Sequence, residues 1–311
     1  MNVVKPPRLQ RGDLIGIVAP GSPAAPEKLA RGIRYLEQLG YRILPGRHVE
    51  KRRGYLAGSD TQRADDLNAM FADRRVKAIL AVRGGYGVHR ILPLIDYSAV
   101  RRNPKIVVGY SDITALHLAL FAKARLVTVS GPMVATEFGQ GFGGSAEEMF
   151  WRTVTSPTPP RIVKNTPRKR ISVIRGGTVT GRLLGGNLSL VTALLGTPYF
   201  PILPRTIFAL EEIEEPSYKI DRMLHHMALA GMLSGNNGFI IGDFSITPPS
   251  RGKPSLTLNR ILTDVLSSAD APSLAGFRFG HVRGSLTLPM GVRARLTTGR
   301  KTLEILESAV R

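Results

Sequence analysis

The chain has 311 residues, of which 43 are Lys or Arg and 23 are Asp or Glu, so its formal net charge at pH 7 is +20. It contains no cysteine, which excludes disulfides, cysteine nucleophiles, cysteine-ligated zinc and cysteine-ligated iron–sulfur clusters. A length of this order predicts two domains on a prior of about 150 residues each, with enough chain to bury a sizeable core.

The apolar runs are short and the charge is spread along the chain. No run approaches the roughly 18 apolar residues that span a bilayer. The first run, from Leu14 to Pro20, follows Arg11 and Asp13, which argues against a secretory leader. We therefore expect a cytoplasmic protein without a membrane partner. Because basic residues are scattered and aromatics make up only 6% of the chain, solubility and weak polyanion affinity explain the charge better than specific nucleic-acid binding.

Short apolar runs alternate with helical patterns through roughly the first 135 residues, the order expected of βαβ units on a parallel sheet. An apolar stripe of helical period predicts a helix over Pro26–Leu39. Ser59 and Gln62 form a capping box ahead of a helix over Ala64–Phe71. The predicted strands are Leu14–Val18, Tyr41–Leu44, Lys77–Val82, Lys105–Gly109 and Leu126–Ser130.

The composition changes from Trp151 to Arg182, where eight residues are basic and none is acidic. Such a stretch, with several prolines, predicts an exposed linker over 151–182 between an N-terminal α/β domain, 1–150, and a C-terminal domain, 183–311. Short runs broken by Gly and Pro favour strands from Phe277 to Leu306. The elements predicted just after the linker are a helix, a strand, a helix and a strand: Asn187–Leu195, Thr206–Leu210, Tyr218–Leu233 and Phe239–Ile241.

One serine lies where a predicted strand gives way to a helix. The segment Pro104–Thr114 has the pattern of a buried strand that ends at Gly109, followed by Ser111 at the mouth of a helix. A serine on such a turn projects its hydroxyl from the carboxyl end of the sheet, and the free N–H groups of the first helical turn can stabilise an oxyanion. An ordinary helix N-cap explains the same residue. The segment also departs from the G-x-S-x-G pattern, because position 113 is Ile.

A glycine-rich loop, Arg83–Gly87, follows the third predicted strand. Its glycines permit close backbone approach and positive φ, so its N–H groups can hold an anion or a carbonyl oxygen. A plain tight turn explains the loop equally well. A cofactor phosphate fits less well, because no Walker lysine follows and the first strand is followed by Ala19–Ser22 rather than by a dinucleotide fingerprint.

Four carboxylates follow the predicted strand that ends at Leu210. One of them could orient a histidine, although a solvated acidic turn is the more usual meaning of such a run. Of six histidines, His281 stands at the end of an apolar run, where catalytic side chains are often carried, whereas His117 lies inside a helix and suits a structural role. No metal-ligand spacing such as H-E-x-x-H occurs, so we expect no metal.

These segments together resemble the LD-carboxypeptidase family, serine peptidases that include murein tetrapeptide carboxypeptidases and microcin-immunity peptidases. The resemblance covers nearly the whole chain and consists of seven motifs in family order, each weak alone and specific as a set. The motifs are Arg11–Pro20, Arg83–Gly87, Gly109–Thr114, Leu184–Leu188, Leu210–Glu212 with Pro216 and Tyr218–Leu224, Phe279–His281, and Leu288–Gly291.

The resemblance implies a Ser–Glu–His triad. Ser111 matches the nucleophile, Glu211 the acid and His281 the base. It also implies an oxyanion hole, for which the backbone N–H groups of Gly85 and Asp112 occupy the matching loops.

Two adjacent glutamates compete for the role of triad acid. Residues 207–210 are apolar throughout, which predicts a strand buried on both faces. Glu211, the first charged residue past this strand, should lie nearest the edge of the sheet where Ser111 projects. Strand alternation would aim Glu212 in the opposite direction, so we expect it to point away or toward the neighbouring basic surface.

The fold implied by the resemblance is α/β, with a flavodoxin-like, amidotransferase-like N-terminal domain that carries the nucleophile. A C-terminal α/β domain with a barrel-like sheet would carry the Glu and the His, with the site between the two domains. Family members are commonly homodimers and need no metal or organic cofactor.

Three functions compete at this point. The first is a cytoplasmic serine carboxypeptidase that cleaves an L,D peptide bond and releases the terminal D-alanine of murein tetrapeptide in cell-wall recycling. The second, within the same family, is a microcin-immunity-like peptidase that hydrolyses a peptidyl-nucleotide. The third is a basic polyanion-binding protein with a degenerate triad, which steep loss of binding with salt and no hydrolysis would reveal.

Overall fold

A computed structural model describes residues 2–163, 170–249, 251 and 253–311, and within them the chain forms two mixed β-sheets flanked by helices. In the smaller sheet, the order β2-β1-β3-β4-β5 runs parallel, and β12 pairs antiparallel with β5. This order is one of the two common orders of doubly wound sheets, in which ligands bind outside the carboxyl ends of the strands. The six strands are β1 (Leu14–Val18), β2 (Arg42–Pro45), β3 (Val76–Ala81), β4 (Ile106–Gly109), β5 (Thr128–Ser130) and β12 (Leu288–Met290).

The helices of the N-terminal half connect these strands, and a π-helical turn over Val134–Phe138 follows β5. The helices are α1 (Pro26–Gln38), α2 (Asp60–Ala72), α3 (Val88–Ile91), α4 (Tyr97–Arg102), α5 (Ile113–Ala124) and α6 (Gly144–Thr155). The predicted capping box is present, since the Ser59 hydroxyl accepts from the Gln62 N–H and the Gln62 side chain accepts from the Ser59 N–H. Because the described strands and helices lie within a few residues of their predicted positions, the predicted βαβ units on a parallel sheet are confirmed.

Helix α1 fixes the position of the π-helical turn. Leu29 and Leu36 are buried on its core-facing stripe. A Cβ at Gly32 would lie 2.0 Å from the carbonyl oxygen of Val134, so only glycine lets α1 pack this closely against the turn.

The larger sheet comes mainly from the C-terminal half. Its strands are β6 (Arg161–Val163), β7 (Ser172–Arg175), β8 (Thr178–Asn187), β9 (Thr206–Pro216), β10 (Gly238–Thr247), β11 (Ser273–Ala275), β13 (Arg293–Thr297) and β14 (Thr302–Ile305). Their order is β6-β14-β13-β8-β9-β10-β11-β7. Among the described residues no pairing joins β6 to β7, so the expected barrel-like closure is not confirmed. The helices of this half are α7 (Leu188–Leu194), α8 (Ser217–Leu229) and α9 (Leu258–Ser268).

Part of the predicted linker, 151–182, forms strands. Both edge strands of the larger sheet, β6 and β7, lie within it, and β8 begins there. Residues 164–169 of this stretch lie outside the described residues. In the other direction, β12 comes from the predicted C-terminal domain and completes the smaller sheet. The division into 1–150, 151–182 and 183–311 stays a prediction.

The two halves meet along helix α5. It is buried along most of its length because it packs against β4 and β5 of the smaller sheet and against α7 and β8 of the C-terminal half. Burial of this apolar surface stabilises the helix by about 25 cal/mol per Å². No helix in the described ranges is both long and apolar enough to cross a membrane.

One buried histidine on α5 supports the end of β4. His117 is 1% exposed, and its Nε2–H donates to the carbonyl oxygen of Gly109 at 2.8 Å. Burial lowers the pKa of His117 to about 4, in opposition to the bond to Gly109. The unfolded chain therefore binds a proton at higher pH than the folded chain, and stability falls as the pH drops below the ordinary histidine pKa of about 6.5.

We expect His117→Gln, whose amide can donate to Gly109 without titrating, to remove this acid sensitivity. The wild-type protein should lose up to about 1.4 kcal/mol per pH unit from this residue between about pH 6.5 and pH 4.5, measured by denaturant unfolding. The control is His226→Gln on the exposed face of α8, which should keep the wild-type slope. Equal slopes for wild type and His117→Gln would contradict the assignment.

Candidate active site

Ser111 lies on a strained turn between β4 and α5. Its φ is 63°, in the left-handed region, which costs about 1–2 kcal/mol for a residue with a Cβ. The glycine-rich loop packs directly on it, because a Cβ at Gly84 would lie 2.8 Å from the Ser111 Cβ and 3.0 Å from its Oγ. The turn has the strand–serine–helix form that presents a nucleophile at the carboxyl edge of a sheet.

The glycine-rich loop is held by buried polar groups. The Arg63 guanidinium, 1% exposed, donates to the carbonyl oxygens of Pro20 and Gly87. The Asp112 carboxylate accepts from the Val88 N–H at 3.0 Å, and burial raises the pKa of Asp112 to about 6. The Arg63 bonds link the end of the loop to Pro20, and the Asp112 bond links the residue after the loop to the turn that carries Ser111.

Gly85 and Asp112 are the residues predicted to form an oxyanion hole. Gly85 has a φ of 106°, a conformation that favours glycine. Within the described part of the chain, neither residue uses its backbone N–H in a hydrogen bond. Unpaired N–H groups beside a nucleophile can stabilise a developing oxyanion, so this role stays a prediction that the arrangement permits.

His281 and Glu211 form a hydrogen-bonded pair. Nδ1 of His281 lies 2.8 Å from Oε2 of Glu211, which leaves Nε2 of the ring for another partner. Gly280 makes the contact possible, because a Cβ there would lie 2.7 Å from the Glu211 Cβ. Burial lowers the pKa of His281, but the hydrogen bond and charge of Glu211 outweigh it and raise that pKa above its usual value.

Glu212 points away from His281, as one of the two expected orientations requires, but toward the start of α7 rather than toward a basic surface. It is 3% exposed, and its carboxylate accepts from the Asn187 amide at 2.6 Å and from the N–H and hydroxyl of Ser189 at 2.8 and 2.6 Å. Helix α7 begins at Leu188, so the carboxylate satisfies and complements a helix N-terminus. Strand alternation sends the two glutamates in different directions, one to His281 and the other to α7.

The acidic run is therefore not a solvated turn. Strand β9 continues through it to Pro216, and Glu211 and Glu212 are both buried. The sequence pattern placed the end of the strand at Leu210 because carboxylates are rarely buried without partners. Here each one has a partner that comes from a distant part of the chain.

A cleft between the two halves holds three of the predicted residues, Ser111, Glu211 and His281, in two adjoining pockets, whereas Gly85 and Asp112 line neither pocket. Its inner pocket, about 440 Å³, is lined by Ser111 from the N-terminal half and by Glu211 from the C-terminal half. A wider outer pocket, about 1870 Å³, is lined by His281. The two pockets share Tyr110, Glu137 and Phe142.

Tyr110 and Glu137 are cleft residues that sequence reasoning missed. The Tyr110 ring packs edge-on against the His281 ring, with 5.2 Å between centroids. Its hydroxyl donates to the Glu137 carboxylate at 2.9 Å. The position of Tyr110 directly before Ser111 was a signal for it, whereas Glu137 belongs to no motif and reaches the cleft only through the π-helical turn. Among the described residues, no cluster of three or more acidic or histidine side chains could hold a metal ion.

A cleft between two α/β halves, with a serine on a strand–helix turn and a histidine bonded to a buried glutamate, has the form of a serine hydrolase site. The LD-carboxypeptidase N-terminal domain family matches residues 15–131, and the LD-carboxypeptidase C-terminal domain family matches residues 180–296. The chain belongs to the LD-carboxypeptidase family of peptidases.

Relatives of known name cover nearly the full chain. A probable murein peptide carboxypeptidase of Bacillus subtilis is 38% identical, over 98% of this chain and 95% of the relative. The murein tetrapeptide carboxypeptidase of Pseudomonas aeruginosa is 30% identical, over 92% and 94%. The solved structure of the microcin C7 self-immunity protein MccF, a protein of Escherichia coli, in complex with aspartyl sulfamoyl adenosine matches with a TM-score of 0.90 and 26% identity, covering 99% of this chain and 100% of that chain.

Because Glu211 and Glu212 have different partners, we expect substitution of the first to lower activity and substitution of the second to lower stability. Glu211→Gln should reduce kcat on a peptide substrate by a factor on the order of 10⁴, because a neutral amide no longer stabilises the imidazolium or fixes its tautomer. Glu212→Gln should leave kcat within about tenfold and instead lower the free energy of unfolding by about 1–2 kcal/mol, because it weakens charged hydrogen bonds at the start of α7.

The two variants serve as controls for each other. Steady-state kinetics and denaturant unfolding, measured on both variants, separate a loss of kcat from a loss of stability. A larger loss of kcat for Glu212→Gln than for Glu211→Gln would overturn the assignment of the acid.

Proposed function

We propose that this protein is a serine LD-carboxypeptidase that removes the terminal D-alanine of murein tetrapeptide in cell-wall recycling. The observation that carries the proposal is the buried Glu211–His281 bond, in a cleft that also exposes the strained Ser111. The names of the relatives from Bacillus and Pseudomonas support the substrate class.

In the proposed reaction, His281 acts as general base and then as general acid. Its Nε2 takes the hydroxyl proton of Ser111 as Oγ attacks the carbonyl carbon of the L,D peptide bond. The oxyanion accepts from the N–H groups of Gly85 and Asp112. The imidazolium, stabilised by Glu211, returns the proton to the amine of the departing D-alanine. Water then attacks the acyl-enzyme by the same route and regenerates the hydroxyl.

The electrostatics of the cleft suit an anionic peptide. Arg278 and Arg283 line the outer pocket beside His281, and the chain as a whole carries +20. A peptide that ends in a free carboxylate is drawn toward positive potential before it binds.

A second candidate is hydrolysis of a peptidyl-nucleotide, in the manner that the resemblance to microcin-immunity peptidases implies. The observation that favours it is the fold similarity to MccF across the chain, including a complex of that protein with an aminoacyl sulfamoyl nucleoside. The same three residues would serve both reactions, so only substrate preference separates them. The proposal also includes the flavodoxin-like N-terminal class, a cytoplasmic location and a homodimer, as the family resemblance implies.

We expect incubation with murein tetrapeptide to yield a tripeptide and free D-alanine, detected by mass spectrometry. The matched control is the same peptide with a terminal L-alanine, which should stay intact. A peptidyl-adenylate analogue tests the second candidate in parallel. Hydrolysis of the analogue alone would replace the murein proposal, and hydrolysis of neither substrate would overturn both.

Ser111→Ala and His281→Ala should each abolish turnover without unfolding the protein. The two side chains act as one unit, so the double variant should be no slower than either single variant. Circular dichroism and thermal unfolding check the fold. Near-wild-type kcat in either single variant, or a much slower double variant, would show that the triad is assigned wrongly.

Chelators should leave activity unchanged, and a serine-directed acylating reagent should label Ser111, because the proposed mechanism uses a serine nucleophile and no metal ion. Peptide mapping of the labelled protein identifies the site, with Ser111→Ala as the unlabelled control. Inactivation by a chelator that is reversed by added metal would contradict the mechanism.

A further inference from the structure

The residue before the nucleophile also contacts the base. Tyr110 lies between β4 and Ser111, and its ring packs edge-on against His281 at 5.2 Å between centroids. Edge-to-face aromatic contacts of this kind contribute about 0.5–1.5 kcal/mol beyond area burial. Tyr110, from the N-terminal half, therefore packs against the imidazole of His281, from the C-terminal half.

The Tyr110 hydroxyl is itself held in place. It donates to Oε1 of Glu137 at 2.9 Å, while Oε2 of Glu137 accepts from the Met133 N–H at 2.9 Å and from the Thr136 hydroxyl at 2.5 Å. Burial and the neighbouring carboxylate raise the pKa of Tyr110 well above its usual range, so its hydroxyl stays a donor. The π-helical turn thus presents Glu137 as a fixed acceptor in the cleft.

We propose that Tyr110 and Glu137 form a positioning pair for His281, in which Glu137 fixes the Tyr110 ring against the imidazole and places a second negative charge near it. This role rests on the proposed function of His281 as the base. Neither residue reacts with substrate in this scheme. Both act through the orientation and the charge of the imidazole.

The groups around His281 determine whether the charge of Glu137 raises or lowers the pKa of that histidine. Burial lowers its pKa, whereas the carboxylates of Glu211, Glu212 and Glu137 raise it. Arg278 and Arg283 line the same outer pocket, and their positive charges act against the carboxylates. Removal of the negative charge of Glu137 therefore moves the pKa of His281 downward, and the acidic limb of kcat/KM moves to lower pH.

The test uses Glu137→Gln, which removes the charge and keeps an acceptor oxygen, and Tyr110→Phe, which keeps the ring and removes the hydroxyl. The chain offers a matched control in a second tyrosine–glutamate pair, because the Tyr35 hydroxyl donates to Glu147 and neither residue lines the two pockets of the cleft. Tyr35→Phe and Glu147→Gln are the control variants.

Histidine imidazole NMR titrations give a readout that needs no substrate. Glu137→Gln should lower the pKa of His281 and move the acidic limb of kcat/KM to lower pH by the same amount. Tyr110→Phe should lower kcat by about tenfold with KM unchanged, as misorientation of a catalytic group does. The control variants should leave both the titration and kcat at wild-type values.

The outcomes separate this inference from the proposed function. An unshifted His281 titration in Glu137→Gln together with wild-type kcat in Tyr110→Phe overturns the positioning pair, even when the wild-type enzyme cleaves tetrapeptide. If Glu137→Gln does not fold, the kcat of Tyr110→Phe alone tests the positioning pair, since that variant removes only one hydroxyl. A wild-type enzyme that hydrolyses nothing, with the predicted NMR shift intact, overturns the proposed function and keeps the pair.

Discussion

The buried hydrogen bond between Glu211 and His281 is the interaction on which the geometry of the cleft depends. A carboxylate that is 2% exposed loses several kcal/mol of hydration unless a donor replaces the water. The imidazole supplies that donor at 2.8 Å, and the absence of a side chain on Gly280 allows the approach. The solvation requirement of one acid thus fixes the tautomer and the orientation of the His281 imidazole.

Strand β9 carries two adjacent glutamates whose carboxylates have different partners. Glu211 faces the cleft, and Glu212 faces the start of α7, where it accepts from Asn187 and Ser189. Each glutamate is buried and accepts at least one hydrogen bond from a residue distant in the sequence, so the two carboxylates have different partners. Helix α7 in turn packs against α5, the helix that begins beside Ser111. Glu212 does not contact His281, but it stabilises the start of a helix that packs against the helix following Ser111.

The sequence predicted the elements with strong local signals and missed those that depend on distant partners. The strand at Leu14–Val18 and the capping box at Ser59 rest on local periodicity and side-chain chemistry, and both are present as predicted. The end of β9 was placed too early, because the donors that allow its carboxylates to be buried come from residues far away in sequence. Glu137 was missed for the same reason, since it reaches the cleft through a π-helical turn for which no periodicity exists.

The late position of strand β12 in the chain affects when the smaller sheet can be completed during synthesis. It follows His281 by a few residues, yet it pairs with β5 in the sheet that carries Ser111. Until Leu288–Met290 leaves the ribosome, that sheet has an open edge at β5, and an open edge is prone to pair with other chains. A chain interrupted before His281 lacks both that histidine and the last strand of the sheet beside Ser111, and one interrupted between His281 and Leu288 still lacks the strand. Synthesis thus delays assembly of the cleft until both His281 and Leu288–Met290 have been made, and a separate N-terminal half would leave the edge of β5 unpaired.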